Sequence, residues 1–184
     1  MAVIIVLGAP GAGKTTVLTK AAEQSPGWRV ITWGDRALEI AKAKGLAKER
    51  DEIRKLPVAK QAELQRMVAD SLANEKGKWM LDTHCSINTP EGYYPGLPFK
   101  VLEKLKADAL AYVNAPVEDV MRRRKTDTSR ARDAQGRKEL EEHLAVNRAL
   151  LGAYSAFSGA PVMIIENADG KLDEAVAKLK GLLR

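Results

Sequence analysis

Apolar positions in this chain gather into five short runs, separated by longer stretches in which they recur at helical spacing. The runs are Ala2 to Leu7, Trp28 to Thr32, Trp79 to Leu81, Ala109 to Val113 and Val162 to Ile165. The first, Ala2-Val3-Ile4-Ile5-Val6-Leu7, is continuous rather than alternating and rich in β-branched residues, the pattern of a strand buried on both faces. Helical patterns fill the intervals at 15–24, 36–44, 58–76, 99–105, 116–124, 137–157 and 172–183. In the first of these, Val17, Leu18, Ala21 and Ala22 share one face and Pro26-Gly27 ends the element. Alternating strands and helices predict an α/β fold, a parallel sheet covered by helices on both faces. Ligands of such sheets bind beyond the carboxyl ends of the strands. That singles out Gly8 to Thr15, Gly34-Asp35, Asp82-Thr83-His84 and Asn114.

Two stretches break the pattern. Leu46 to Pro57 is a polar insertion after the second strand, and Arg122 to Lys138 has almost no apolar side chains. Both are expected to be surface excursions from one core, so the chain is read as a single domain over 1–184. A length of 184 residues suits one domain with a sizeable core. Composition adds little: 45% apolar and 29% charged residues are ordinary for a soluble protein. The net charge of +6 suits anionic ligands, although scattered surface lysines give the same sum. Cys85 is the sole cysteine, which excludes an intrachain disulfide and points to a reducing compartment. The apolar N-terminus has no basic leader and runs straight into a glycine-rich turn, so it is not read as a signal peptide. No stretch has membrane-spanning length. A cytoplasmic protein with no membrane partner is expected.

The chemistry starts at that glycine-rich turn. Gly8-Ala9-Pro10-Gly11-Ala12-Gly13-Lys14-Thr15 is a complete G-x-x-x-x-G-K-[ST] phosphate-binding loop, preceded by a strand and followed by a helix as the motif requires. Its glycines let successive N–H groups turn inward around a phosphate, and the helix N-terminus adds partial positive charge. Lys14 is expected to reach the β- and γ-phosphates and Thr15 to take a Mg²⁺ position. A nucleoside triphosphate is therefore the expected ligand. Asp82 ends the third strand and reads either as a Mg²⁺ carboxylate, direct or through water, or as a helix cap. His84 reads as a hydrogen-bonding residue of an acceptor site or as a structural histidine; two histidines and one cysteine without ligand spacing give no zinc site. Arg122-Arg123-Arg124 and Arg130-Ala131-Arg132 concentrate planar, permanently charged forks suited to phosphate oxygens. They read as a cover closing over the nucleotide, or alternatively as a solvated basic loop or RNA-contacting patch.

At this point the chain resembles the archaeal-type adenylate kinases over nearly its whole length. The resemblance rests on Gly8 to Thr16, Gly34-Asp35, Arg50-Asp51-Glu52-Ile53-Arg54-Lys55-Leu56, Asp82-Thr83-His84 and, most specifically, Thr89-Pro90-Glu91-Gly92-Tyr93-Tyr94-Pro95-Gly96-Leu97-Pro98. Asp127 to Arg132 is similar to the family's D-x-x-R-x-R lid, and Asn147-Arg148 to a pair in the helix after it. The resemblance implies reversible transfer of the γ-phosphate of ATP to AMP, giving two ADP, with Mg²⁺. It implies a three-layer phosphate-loop fold with strand order 2-3-1-4-5, an AMP-binding insertion at 33–76, a short lid at 124–138, and a homotrimer. ATP would be bound by Gly8 to Thr16, and AMP by Gly34, Asp35, Arg54, His84, Gly92, Gly96 and Leu97. Lys14, Arg123, Arg130 and Arg132 would carry the catalysis, with Thr15 and Asp82 at the metal.

The Thr89 to Pro98 stretch is apolar, aromatic and proline-stiffened, fit to form a preformed wall for a base or a rigid connector on the core. One departure matters. The acid-glycine-aromatic-proline-arginine run of bacterial and eukaryotic adenylate kinases is replaced here by Asp82-Thr83-His84-Cys85. The arginine gripping the acceptor phosphate must come from elsewhere, with Arg54 the first candidate and Arg50 the second. Two other functions stay open, a different nucleotide or small-metabolite kinase and an ATP-dependent RNA or assembly factor, although nucleic acid is not the expected partner. A GTPase switch is disfavoured, since Asp82 to Cys85 lacks the glycine of D-x-x-G and no N-K-x-D occurs.

Overall fold

The computed structural model describes residues 2–53, 55–89, 91–126 and 136–184. Five strands form one parallel sheet: β1 (Ala2–Gly8), β2 (Trp28–Thr32), β3 (Lys78–Asp82), β6 (Ala109–Asn114) and β7 (Val162–Glu166). A separate antiparallel hairpin contains β4 (Ser86–Thr89) and β5 (Gly92–Pro95). The helices are α1 (Lys14–Glu23), α2 (Trp33–Ala43), α3 (Arg50–Ile53), α4 (Val58–Ala73), α5 (Phe99–Leu105), α6 (Val117–Thr126), α7 (Arg137–Ser158) and α8 (Leu172–Lys180). The sheet order is β2-β3-β1-β6-β7. Numbering the sheet strands alone, this is the expected order, and the hairpin accounts for the shifted labels.

Alternate side chains of the central strand serve two cores. Val3, Ile5 and Leu7 pack with Trp79, Leu81 and residues of α2, α4, α5 and α7, while Ile4 and Val6 pack with Met80 and residues of α1, α6 and α8. Two apolar layers on one sheet explain why β1 reads as an unbroken apolar run. Fully burying a leucine such as Leu72, Leu81 or Leu105 contributes about 2 kcal/mol. The strand order reverses at β1, flanked by β3 and β6, so a crevice opens at its C-terminal end. The phosphate loop lies there.

Three local differences from the sequence reading have physical causes. First, α2 begins at Trp33, directly on the end of β2, so Gly34 and Asp35 lie in its first turn rather than in a loop. Asp35 suits the positive end of a helix. Second, α4 stops at Ala73 rather than Lys76, because Gly77 at φ 84° turns the chain into β3. Third, four of the ten residues of the Thr89–Pro98 stretch form the strand β5, which pairs with β4 at Ser86–Pro95 and Thr89–Gly92. The expected ends of α7 hold well. Glu139 accepts from the Gly136 N–H at 2.9 Å at its start, and Gly159 at φ 72° closes it.

Candidate active site

The loop between β1 and α1 is built by close approach and left-handed backbone. A Cβ on Gly8 would lie 2.6 Å from the Val113 carbonyl oxygen of β6, so only glycine fits at the strand end. Gly11 and Gly13 have φ of 91° and 81°, a region that suits glycine. Gly13 caps α1, and among the described residues no side chain bonds to that cap and no acid stands in the first turn. The positive end of α1 thus faces the loop with no acid of its own first turn against it. Ala9 and Ala12 are buried beneath the loop, Pro10 is half-buried, and Thr16 is exposed on α1.

Asp82, at the end of β3, collects the two polar side chains of this loop. It is 5% exposed, pairs with the ammonium of Lys14, and accepts a 3.0 Å hydrogen bond from Thr15 Oγ1. Asp82 caps no helix; the residues after it lead into the hairpin. One carboxylate and one hydroxyl beside a phosphate loop match how Mg²⁺ is usually held, with phosphates and waters completing its octahedron.

The arginine run lies on the opposite rim. Arg122, Arg123 and Arg124 are in the last two turns of α6, not on a free loop. Arg124 Nε donates to the Pro10 carbonyl at 2.9 Å. Arg123 donates to the Ala12 carbonyl at 3.3 Å and to the Asn167 carbonyl at 2.9 Å, and ion-pairs with Asp169. Asn167, 4% exposed, donates from its amide to Ala12 O at 2.8 Å. The loop after β7 therefore braces the phosphate loop from outside. The sequence reading missed Asn167 and Asp169, although they directly follow the fifth strand, the same position that marked the other candidates. Arg130 and Arg132, and residues 127–135 of the expected lid, lie outside the described residues.

Where the acceptor is expected, Asp35 pairs with Arg50, whose guanidinium carbon lies 3.3 Å from a Cβ built on Gly34. Arg54 lies outside the described residues. His84 is half-buried between Asp82 and the hairpin. Gly92 is exposed at the hairpin turn, whereas Gly96 and Leu97 are buried where the hairpin returns to the core. The Leu97 side chain is 1% exposed in the core, so toward a ligand it has only backbone, and its N–H already meets Tyr154 Oη at 3.3 Å.

A buried polar seam fixes this hairpin to α7. Ser86 Oγ donates to Asn147 Oδ1 at 2.6 Å and lies 2.9 Å from His143 Nε2, while Tyr154 Oη donates to the Cys85 carbonyl at 2.7 Å. Burial holds the His143 imidazole below its ordinary pKa and pushes the Cys85 thiol up to about 12. Cys85 is thereby a packed, protonated side chain and no nucleophile. Asn147 belongs to this seam, and its neighbour Arg148 is exposed. Among the described residues, no group of three or more His, Cys, Asp or Glu gathers as a metal site, and no helix is long and apolar enough to cross a membrane.

A family model described as an AAA domain matches residues 7–141, spanning the phosphate loop, the acceptor side and α6. Among solved structures, the shikimate kinase of Bacteroides thetaiotaomicron superposes with a TM-score of 0.64 at 16% identity, covering 99% of this chain and 98% of that one. The shikimate kinase of Acinetobacter baumannii in complex with shikimate gives 0.62 at 20% identity, covering 100% and 93%. At such identities the likeness establishes the fold alone. Sequence relatives go further. The adenylate kinase of Methanopyrus kandleri is 46% identical over 186 residues, covering 99% of this chain and 97% of that protein. The adenylate kinase of Methanothermobacter thermautotrophicus is 40% identical over 185 residues, end to end in both. With likeness of this depth running the length of the chain, and a complete phosphate loop set against Asp82, the protein belongs to the adenylate kinases.

Proposed function

We propose that this phosphotransferase moves the γ-phosphate of Mg-ATP reversibly to AMP, giving two ADP. The observation that carries the donor half is the convergence of Lys14 and Thr15 on Asp82 at the positive end of α1. Phosphoryl transfer asks a protein mainly to position the reactants and neutralise charge. Lys14 would leave Asp82 for the β- and γ-phosphates, and Gly8 to Thr16 would wrap them. Thr15 and Asp82 would hold Mg²⁺, which when bound supplies positive charge at the phosphate oxygens. Arg123, with Arg130 and Arg132 of the 124–138 segment, would act around the transferring group. AMP would lie over the 33–76 insertion, between Gly34-Asp35 and the hairpin, with His84, Gly92, Gly96 and Leu97 along its base side. A cytoplasmic location and a homotrimeric state complete the reading.

Two mutations probe its halves. Asp82→Asn keeps shape but removes the charge, so turnover should fall and the Mg²⁺ optimum should move to higher concentration. Titration of activity with Mg²⁺ checks this, and an unchanged optimum at full turnover would exclude Asp82 from the metal. Arg54→Ala should raise KM for AMP far more than KM for ATP, since losing a charge-assisted bidentate contact costs about 1.5–3 kcal/mol. An equal change in both constants, or none, would transfer the role to Arg50.

The function as a whole is tested by a coupled assay of ADP formation with ATP and each nucleoside monophosphate in turn, plus shikimate and RNA. Rapid turnover that requires AMP supports the reading. Preference for another acceptor makes the chain a kinase of different substrate. Slow hydrolysis stimulated by RNA overturns it in favour of an assembly factor.

A further inference from the structure

Arg123 is held more firmly than an arginine awaiting phosphate needs to be. Four of its five N–H donors are in use. Nε and Nη2 both donate to Asp169 Oδ1, at 2.9 and 2.6 Å; Nη2 also reaches Asn167 O and Nη1 reaches Ala12 O. The second oxygen of Asp169 takes Arg122, which donates in turn to Asp119 Oδ1 at 2.6 Å. Asp119 Oδ2 then accepts from the backbone N–H of Asp169 at 2.8 Å. The circuit closes, so each carboxylate is fixed at both ends and α6 is tied to the loop after β7.

We propose that Asp169 is a positioning residue of the donor-nucleotide site, acting through Arg123. This rests on the reading above that Arg123 acts around the transferring group, on the side of the phosphate loop it touches at Ala12. A free arginine side chain carries about 2 kcal/mol of rotamer entropy, which must be lost whenever its guanidinium is set in one plane. Asp169 removes that freedom before nucleotide arrives. The plane it imposes lies against the phosphate loop, with Nη1 3.5 Å from the Cβ position of Gly13, the residue that caps α1. Arg123 is 26% exposed and Arg122 56%, so the circuit buries the arginine next to the loop and leaves the outer one in solvent. The two guanidiniums hold the Asp169 carboxyl below its ordinary pKa, keeping it ionised as a brace. Among the described residues, the hydrogen bonds of Asp169 go to Arg122, Arg123 and Asp119 and none to the phosphate loop. Its influence on the reaction runs through Arg123.

The test is a kinetic cycle on the full chain, with ATP and AMP varied separately and melting temperatures measured alongside. Asp169→Ala should raise KM for ATP about fivefold to tenfold, within the range of coupling between residues in direct contact, and leave KM for AMP unchanged. Asp169→Asn retains an acceptor for Nε and should fall between. In the Arg123→Ala background, Asp169→Ala should have no further effect on KM for ATP. Equal changes in both Michaelis constants, or an Asp169→Ala effect that adds in full to Arg123→Ala, would overturn the proposal and leave Asp169 a structural surface acid. A silent Asp169→Ala beside a damaging Arg123→Ala would overturn it as well. If Arg123→Ala alone were silent, the reading of Arg123 beneath the proposal would fall and take it along.

Discussion

Lys14→Ala should lower turnover about a hundredfold, the loss of about 3 kcal/mol expected when one contact to developing charge is removed. The structure adds a second expected effect. Lys14 and Asp82 are a nearly buried pair, with side chains 9% and 6% exposed. Removing the ammonium strands a carboxylate whose other partner is the Thr15 hydroxyl. Breaking such a pair from one side costs on the order of 3 kcal/mol, and in a chain of this size each kcal/mol shifts the melting temperature by about 2–4 °C. The unliganded mutant should therefore melt earlier as well as turn over slowly. The two effects separate in the double mutant. Lys14→Ala combined with Asp82→Asn removes the stranded charge, so it should regain most of the melting temperature and none of the turnover. Near-normal turnover in folded Lys14→Ala would remove the lysine from the mechanism.

Gly96→Ala should be the most damaging single methyl group on the acceptor side. A Cβ there would lie 2.0 Å from the His84 carbonyl oxygen and 3.0 Å from that of Cys85. Both are backbone atoms, and the Cys85 carbonyl already accepts from the Gly96 N–H at 2.9 Å and from Tyr154 Oη at 2.7 Å. Neither side can yield without moving the hairpin. Overpacking of this kind costs about 3 kcal/mol, equivalent to about 6–12 °C in melting temperature here. Because the same backbone carries His84 and the proposed base wall, KM for AMP should rise while KM for ATP stays near its original value. Gly152→Ala is the control. It lies in α7, where among the described residues a Cβ would meet nothing within 4 Å beyond its own stretch of helix, and the change should stabilise by about 0.5–1 kcal/mol. If Gly96→Ala melts and works like the original protein, the close packing described at His84 is wrong.

Periodicity served well wherever burial was strong. The five sheet strands, the phosphate loop and the long helix 137–158 follow from apolar runs and capping residues that tertiary packing reinforces. The hairpin escaped because its strands are four residues each, join through Thr89 to Gly92, and in β4 carry two exposed positions to one buried. Such a segment has too few residues for a period of two to stand out. The roles of Gly96 and Leu97 were legible only as motif positions; the carbonyl pressed against one and the core around the other depend on contacts from Cys85 and Tyr154, far apart in sequence. Asn167 and Asp169 were missed for another reason. Their significance lies in the backbone carbonyl and guanidinium they meet, and neither partner is encoded in Asn-Ala-Asp-Gly. The adenylate kinase assignment drew on the Thr89–Pro98 stretch, the part of the chain least explicable by pattern alone.

On the proposed function, the pairing of Lys14 with Asp82 would make nucleotide uptake an ion exchange. The Lys14 ammonium is matched by the Asp82 carboxylate. An incoming phosphate must displace that internal counter-anion rather than settle on a bare cation, and the displaced carboxylate is then free to receive the cation that travels with the nucleotide. Small anions without such a companion would leave Asp82 uncompensated in a poorly solvated place, a cost that disfavours them. On the proposed reading the loop would therefore favour a phosphate that arrives with a metal over a lone one, using two side chains that hold each other in reserve.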